Sequence, residues 1–207
     1  MIYNILFVLK SFEVGGLEVV TSFLANKFVR EGSNVSIVAF DNAEYSIEDR
    51  LDDKIKKYVL NGLVASSDNV QTMKNILIND KIHIVINQWG LPIVPIKVVN
   101  QASKGLDLKV ISVFHNNPCF NGRIQSVQIK IDKTSNPIKI AILKLKKFLF
   151  REITAYGMRY NYYHSDKFMV LSPSFVDEFK KFTRIKNPKH LVVQTNPITI
   201  DYSDYTY

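Results

Sequence analysis

The chain has 207 residues, of which 46% are apolar and 12% aromatic, enough to build a hydrophobic core and to exclude a disordered chain. Its single cysteine, Cys119, excludes an intramolecular disulfide and favours a reducing, cytoplasmic setting, and its four scattered histidines do not have the spacing of a zinc site. The formal net charge is +8, which favours anionic ligands or surfaces as partners.

The first forty residues predict a strand, a loop that contains two glycines, a helix and a second strand. Residues 2–9 form a nearly continuous apolar run, which is typical of a parallel strand that is buried on both faces. Gly15 and Gly16 then precede an amphipathic helix, which Gly32 ends. Backbone N–H groups at the start of a helix bind anions, and paired glycines let a phosphate or a sugar come close. The alternative is that the two glycines only form a tight turn between strand and helix.

The rest of the chain continues the alternation of apolar strands and amphipathic helices. The predicted strands cover residues 54–60, 83–89, 109–115, 167–172 and 190–195, and the predicted helices cover residues 66–80, 92–103, 138–164 and 173–182. Residues 116–135 are expected to form a loop. Short connections between alternating elements predict a single α/β domain with a doubly wound, mostly parallel, Rossmann-like sheet and helices on both faces. Ligands of such sheets bind outside the carboxyl ends of the strands.

Several polar residues follow predicted strands at this edge of the sheet. His115 is the main candidate, because a histidine at a strand end can donate hydrogen bonds or titrate near neutral pH. Asn116 follows it, and Gln88 and Trp89 end the neighbouring strand. His115 could instead be a structural histidine that the loop backbone satisfies. Trp89 could either stack on a sugar ring or close the core.

Two common nucleotide-binding motifs are absent from the sequence. The chain lacks the G-x-G-x-x-G fingerprint after its first strand, although Asp41 at the end of the second strand resembles the ribose-binding acid of that motif. A Walker A loop is absent as well. Without the glycines, the match at Asp41 is weak. The sequence therefore disfavours a nicotinamide-dependent oxidoreductase.

The longest predicted helix, residues 138–164, carries an apolar stripe and much of the positive charge. Between Arg123 and Arg159, nine Lys and Arg stand against two acidic residues, a net charge of +7. The uncharged stripe is expected to face the core, and it comprises Ile138, Ile142, Leu145, Leu149, Ile153, Tyr156, Tyr160 and Tyr163. The other side is expected to lie on an anionic membrane surface through Lys139, Lys146, Lys147, Phe150 and Arg151. The alternative is a solvated basic face whose apolar residues are covered by the 116–135 loop.

Four segments of the chain form a recognisable set. They are residues 15–18 (Gly-Gly-Leu-Glu), residues 115–116 (His-Asn), residues 166–172 (Asp-Lys-Phe-Met-Val-Leu-Ser) and residues 192–198 (Val-Val-Gln-Thr-Asn-Pro-Ile). In this order they resemble the N-terminal domain of the retaining glycosyltransferases of GT-B fold, of the family 4 or group 1 type. The resemblance runs over essentially the whole chain.

The resemblance implies roles for the residues at the sheet edge. Gly15 and Gly16 would approach the diphosphate or the sugar of a nucleotide-sugar donor, and His115 would lie beside the reacting sugar. In retaining members the leaving phosphate is thought to accept the proton of the acceptor, so His115 is expected to position and polarise rather than to act as a base. No cofactor or metal is expected, because the nucleotide-sugar is a substrate. The residues assigned to acceptor binding are Glu18, Gln88, Trp89 and Asn116.

The resemblance also implies how the enzyme is divided into domains. Residues 1–200 would form the acceptor-binding domain and residues 201–207 the start of a linker or tail, while the donor-binding domain would be absent from this chain. The expected activity is transfer of a hexose to a glycan or lipid-linked acceptor in polysaccharide or lipopolysaccharide synthesis, with this chain inactive on its own. The expected location is the cytoplasm or the inner face of the membrane. The alternative is a noncatalytic module that binds nucleic acid or sugar phosphates through residues 123–159, although no nucleic-acid motif is present.

Overall fold

The computed structural model describes residues 2–41, 46–119 and 121–197, which form seven strands, six α-helices and one 3₁₀-helix. The predicted tail at residues 201–207 lies outside the described residues. The strands are β1 (Asn4–Ser11), β2 (Asn34–Asp41), β3 (Lys56–Val59), β4 (Ile84–Asn87), β5 (Lys109–Phe114), β6 (Lys167–Val170) and β7 (Leu191–Val193). The α-helices are α1 (Gly16–Arg30), α2 (Ser67–Asn79), α3 (Ile93–Ala102), α4 (Gly122–Asp132), α5 (Pro137–Tyr163) and α6 (Ser174–Thr183), and the 3₁₀-helix covers Ile47–Arg50.

The seven strands form one sheet in the order β3-β2-β1-β4-β5-β6-β7, and every neighbouring pair is parallel. This confirms the predicted single domain with a doubly wound, Rossmann-like sheet. Alternate residues of β1 face opposite sides, as the pleat of a strand requires. Ile5 and Phe7 pack with α1, whereas Leu6 and Val8 pack with α2 and α3. Helices therefore cover both faces, as predicted.

The side of the sheet that carries α1 is only partly covered. α1 packs over β1 and β2, and next to it β4, β5 and β6 line an open groove of about 430 Å³. We call this space the lateral groove. Its walls are mainly hydrocarbon, and they include Phe7, Phe28, Ile86, Ile111, Val113, Met169 and Leu171.

The predicted loop at residues 116–135 is wrong, because most of this segment forms α4. The side chain of Asn121 accepts a hydrogen bond from the N–H of Arg123 at 3.0 Å and so caps the start of this helix. Ile124 and Val127 are buried, and α4 packs along α5. α4 is short and mixed in polarity, so its helical period is weak in the sequence.

The predicted orientation of α5 is also wrong. Of the eight residues in the apolar stripe that was expected to face the core, seven are between 51% and 73% exposed, and Tyr160 alone is half-buried. The helix instead turns its other side inward, where Ala155, Met158 and Tyr162 are buried. Both sides of α5 carry apolar residues, so periodicity alone could not choose between them. α4, which the sequence did not predict, covers part of the side that faces inward.

Candidate functional site

The candidate site lies at the carboxyl ends of β1, β4 and β5. The strand order changes direction between β1 and β4, which in doubly wound sheets is the point where ligands bind. The N–H of Gln88 donates to the carbonyl oxygen of Val8 at 3.1 Å, so the end of β4 lies beside the end of β1. β5 lies on the other side of β4. Gln88, Trp89 and His115 therefore follow neighbouring strand ends.

The structure joins two of the predicted site residues directly. Nε2 of His115 lies 2.7 Å from Oε1 of Gln88, which is 2% exposed. Because a carbonyl oxygen only accepts hydrogen bonds, Nε2 carries the proton and donates it. Burial lowers the pKa of His115 from its ordinary value of 6.5 to about 4. The imidazole is therefore neutral near pH 7.

A neutral His115 can do limited chemistry. Its Nε2 proton is held by Gln88, which leaves Nδ1 as the atom that can accept a hydrogen bond from a ligand hydroxyl. An imidazole with a pKa of about 4 is a weak base, and it carries no additional proton to donate at neutral pH. The geometry favours a residue that orients a ligand over a residue that transfers a proton.

A buried polar network holds the loop that carries Gln88 and Trp89. The side chain of Asn161 on α5 donates to the carbonyl oxygens of Leu91 and Pro92, both at 3.1 Å. Its Oδ1 accepts from Nδ2 of Asn87 at 3.2 Å, and Oδ1 of Asn87 accepts from the N–H of Trp89 at 3.2 Å. The loop after β4 is therefore tied to α5 by bonds that water cannot easily replace.

Two glycines let the same loop sit tightly between β5 and α5. A Cβ on Gly90 would lie 2.6 Å from the backbone oxygen of Val113, and a Cβ on Gly157 would lie 2.6 Å from the backbone oxygen of Leu91. Side chains at either position would force the backbone apart. The position of Gln88 relative to His115 depends on this close approach.

Gly90→Ala is expected to lower the free energy of unfolding by about 1–3 kcal/mol, because the added methyl group meets backbone that cannot rotate away. It also pushes the loop from β5 and weakens the bond between Gln88 and His115. Gly122→Ala is the matched control, since a Cβ there meets nothing within 4 Å, and its effect is expected to stay within about 0.5 kcal/mol. Urea unfolding of both variants measures the difference, and equal stabilities would contradict the close approach.

The head of α1 already holds an anionic side chain. Gly15 is the N-cap residue of the helix, and a Cβ on it would lie 2.5 Å from Oε2 of Glu18. The carboxylate thus folds back over the first turn, where the helix dipole favours negative charge. Burial is the main cause that raises the pKa of Glu18, and the nearby Glu13 adds to the rise. Gly16 is exposed and has open space where a Cβ would stand.

One cation at the site was not predicted from the sequence. Nζ of Lys10, at the end of β1, lies 5.9 Å from the ring centroid of Trp89. Lys10 is exposed, whereas its neighbours Leu9 and Ser11 are buried. A lysine on the exposed side of a strand end next to the switch point was the only sequence signal. Asn116, another predicted site residue, is exposed directly after β5.

The structure does not join all the predicted site residues. Among the described residues, no hydrogen bond connects the head of α1 with His115 or Gln88. His115 and Gln88 border the lateral groove, whereas Gly15, Gly16, Glu18, Trp89 and Asn116 do not line it. Lys27, Glu31 and Asn196 also line the groove, but most of its wall is apolar, which does not suit a charged diphosphate. We therefore place the candidate site at the strand ends and not in the groove.

The residues predicted for membrane contact divide between two environments. Lys139 and Lys146 are exposed. Lys147 donates to Oε1 of Gln128 on α4 at 2.6 Å, Phe150 packs against the core beneath α5, and Arg151 lies over the ring of Phe182 on α6. Lys147, Phe150 and Arg151 thus contact protein on the side of α5 that packs against α4 and α6, and membrane contact through these three residues stays a prediction.

Within residues 2–41, 46–119 and 121–197, no group of three or more His, Cys, Asp or Glu could hold a metal ion. In the same part of the chain, no helix has both the length and the apolar character needed to cross a bilayer. The expectation that no cofactor takes part stays a prediction.

Solved structures share this fold at low sequence identity. HepE from Anabaena, in complex with UDP and glucose, superposes with a TM-score of 0.57 and 12% identity over 95% of this chain and 45% of that chain. A glycosyltransferase from Rickettsia africae gives a TM-score of 0.56 and 14% identity, over 93% and 42%. A putative UDP-N-acetylglucosamine 2-epimerase from Listeria monocytogenes gives 0.50 and 8%, over 92% and 44%.

These comparisons define the fold. The chain forms a Rossmann-like domain of the kind found in these three proteins, and it spans less than half the length of each of them. No family model and no curated protein matches the sequence. The GT-B-like fold that the resemblance implied is therefore supported, and the activity is a matter for proposal.

Proposed function

We propose that this chain is the acceptor-binding half of a retaining glycosyltransferase. It would help to move a hexose from a nucleotide-sugar to a glycan or lipid-linked acceptor during polysaccharide or lipopolysaccharide synthesis. The observation that carries the proposal is the His115–Gln88 pair at the switch point of a sheet whose fold is shared with glycosyltransferases. HepE, which has this fold, binds UDP and glucose.

Each residue at the strand ends has a role in this proposal. Gly16 is the point where the donor diphosphate comes close, because its surroundings are open, whereas Gly15 is already covered by Glu18. The carboxylate of Glu18 accepts hydrogen bonds, so it is suited to a hydroxyl of the acceptor. His115 presents Nδ1 to a sugar hydroxyl, and Trp89 with Asn116 extends the acceptor surface.

The donor is held mainly by a second domain in this proposal. The described sheet edge offers Lys10 but no cluster of cations for a diphosphate, so binding of the donor to this chain alone is weak. No metal or cofactor takes part, and nucleic acid is not a ligand. The leaving phosphate accepts the proton of the acceptor hydroxyl, which is consistent with a neutral, weakly basic His115.

Titration of the ¹⁵N-labelled chain with UDP, GDP and dTDP sugars tests the site by NMR. We expect weak binding with shifts at Gly16, Trp89 and His115, and no transfer to glycan or lipid-linked acceptors by this chain alone. Gly16→Val should remove the shifts by filling the open space. Gly122→Val is the matched control, because Gly122 also begins a helix and a Cβ there also meets nothing within 4 Å.

Two outcomes would count against the proposal. Robust sugar transfer by the isolated chain would show that no second domain is needed. Shifts confined to residues 123–159, with stronger binding to RNA or polyphosphate than to nucleotide-sugars, would favour the noncatalytic anion-binding module instead.

A further inference from the structure

We propose that the exposed apolar side of α5 lies on an anionic lipid surface. We call this side the α5 stripe. Its residues are large, apolar and between 51% and 73% exposed, and they are Ile138, Ile142, Leu145, Leu149, Ile153 and Tyr156. A contiguous exposed apolar surface of this kind marks a contact with a partner or a membrane.

The stripe is long and directed away from the protein core. From Ile138 to Tyr156 it runs for about 27 Å along the helix. The opposite side of α5 carries Met158 and Tyr162, which are buried in the core with α6. The helix can therefore rest in the plane of an interface with its apolar side down, without any change in the packing of the domain.

The charges around the stripe match an anionic surface. Lys139 and Lys146 are exposed along one margin of the stripe, whereas the exposed Lys144 lies on the side of α5 that faces α4. From residue 133 to residue 151 the chain has no acidic residue. Glu152, which follows, is paired with Arg184, their side chains 2.5 Å apart.

The neighbouring helix α4 carries further exposed apolar and basic residues. Ile129 on α4 is 52% exposed, and Lys130 and Lys133 beside it are exposed as well. Lysines around an apolar centre can place their ammonium groups at lipid phosphates while their hydrocarbon stems lie on the acyl boundary. The α5 stripe and the exposed lysines beside it provide the two contributions that interfacial binding requires, which are buried apolar area and attraction to anionic headgroups.

Other occupants fit this surface less well. An antiparallel pair of chains joined through the α5 stripe would bring Lys139 and Lys146 close to the same lysines of the other copy, which opposes self-association. Nucleic acid would contact the lysines but would leave the central hydrocarbon surface in water. The membrane contact rests on α5, and it stands whether or not the proposed sugar transfer is correct.

Flotation with vesicles of phosphatidylcholine and roughly one-third phosphatidylglycerol tests the contact. We expect binding to these vesicles, weaker binding to pure phosphatidylcholine, and loss of binding as the salt rises from about 0.1 M to about 1 M. Ile142→Asp combined with Leu149→Asp should reduce binding at least about tenfold, because it places two charges in the apolar interface.

The matched control is Val64→Asp combined with Ile78→Asp, which changes two apolar residues of similar exposure away from α5. All four positions are exposed, so circular dichroism should show both double variants folded. Unchanged vesicle binding by the stripe variant, or no binding by the wild-type chain at low salt, would overturn the proposal. Self-association that the stripe substitutions abolish, without vesicle binding, would overturn it in favour of a second copy.

Discussion

Asn161→Leu is expected to lower the free energy of unfolding by about 3–5 kcal/mol. Leucine keeps the volume of the side chain but removes its donors from the carbonyl oxygens of Leu91, Pro92 and Gly157, which lie 2.9–3.1 Å from Nδ2. It also removes the acceptor for Asn87, which is buried. Buried polar groups that lose their partners cost far more than an exposed hydrogen bond contributes.

Urea unfolding measures this loss, which is a large fraction of the total stability of an ordinary domain. Asn79→Leu is the control, because Asn79 is exposed at the end of α2, and its effect should stay within about 0.5 kcal/mol. A loss below about 1 kcal/mol for Asn161→Leu would mean that the network does not hold the loop after β4.

The burial of His115 predicts a pH-dependent stability. Because burial lowers the pKa of His115 from 6.5 to about 4, the unfolded chain binds the proton more tightly than the folded one. The contribution of neutral His115 to the free energy of unfolding is complete above about pH 6.5 and declines as the pH falls towards 4. The free energy of unfolding should drop by about 3 kcal/mol over this range through His115 alone.

Comparison with His115→Gln separates the contribution of His115 to the pH-dependent stability from the contributions of other groups that titrate in acid. The wild-type chain should lose about 3 kcal/mol more than this variant between neutral pH and pH 4, since glutamine does not ionise. His190→Gln changes an exposed histidine and is the control. This variant should lose as much stability between neutral pH and pH 4 as the wild-type chain does. An NMR titration in which His115 ionises near 6.5 would contradict the buried, neutral imidazole.

Most of the fold could be predicted from the sequence because its signals are local. The apolar run of β1 is covered on both faces, and Gly32, with φ 89°, ends α1 as expected. Ser66 caps α2 by accepting from the N–H of Asn69 at 3.2 Å. The orientation of α5 could not be predicted from local signals. It depends on α4 and α6, which pack on one of the two apolar sides of α5.

The site was predictable in part for the same reason. His115 and Gln88 follow strands that are neighbours in a doubly wound sheet, so the sequence could place them at one edge. The hydrogen bonds that hold this edge come from Asn161, which is 74 positions from Asn87 in the chain. Asn161 lies on α5, the helix whose orientation was predicted incorrectly, so the sequence could not place its side chain at the site. The short distance between Lys10 and Trp89 likewise depends on the pairing of β1 with β4.

The lateral groove has a consequence for the way the sheet opens. β1 has helices on both of its faces, so its amide protons should exchange with solvent only when the whole domain unfolds. Met169 of β6 faces the groove, and β7 has only three residues at the edge of the sheet. The amides of β6 and β7 should therefore exchange through smaller, more frequent openings, which would make this end the least protected part of the sheet.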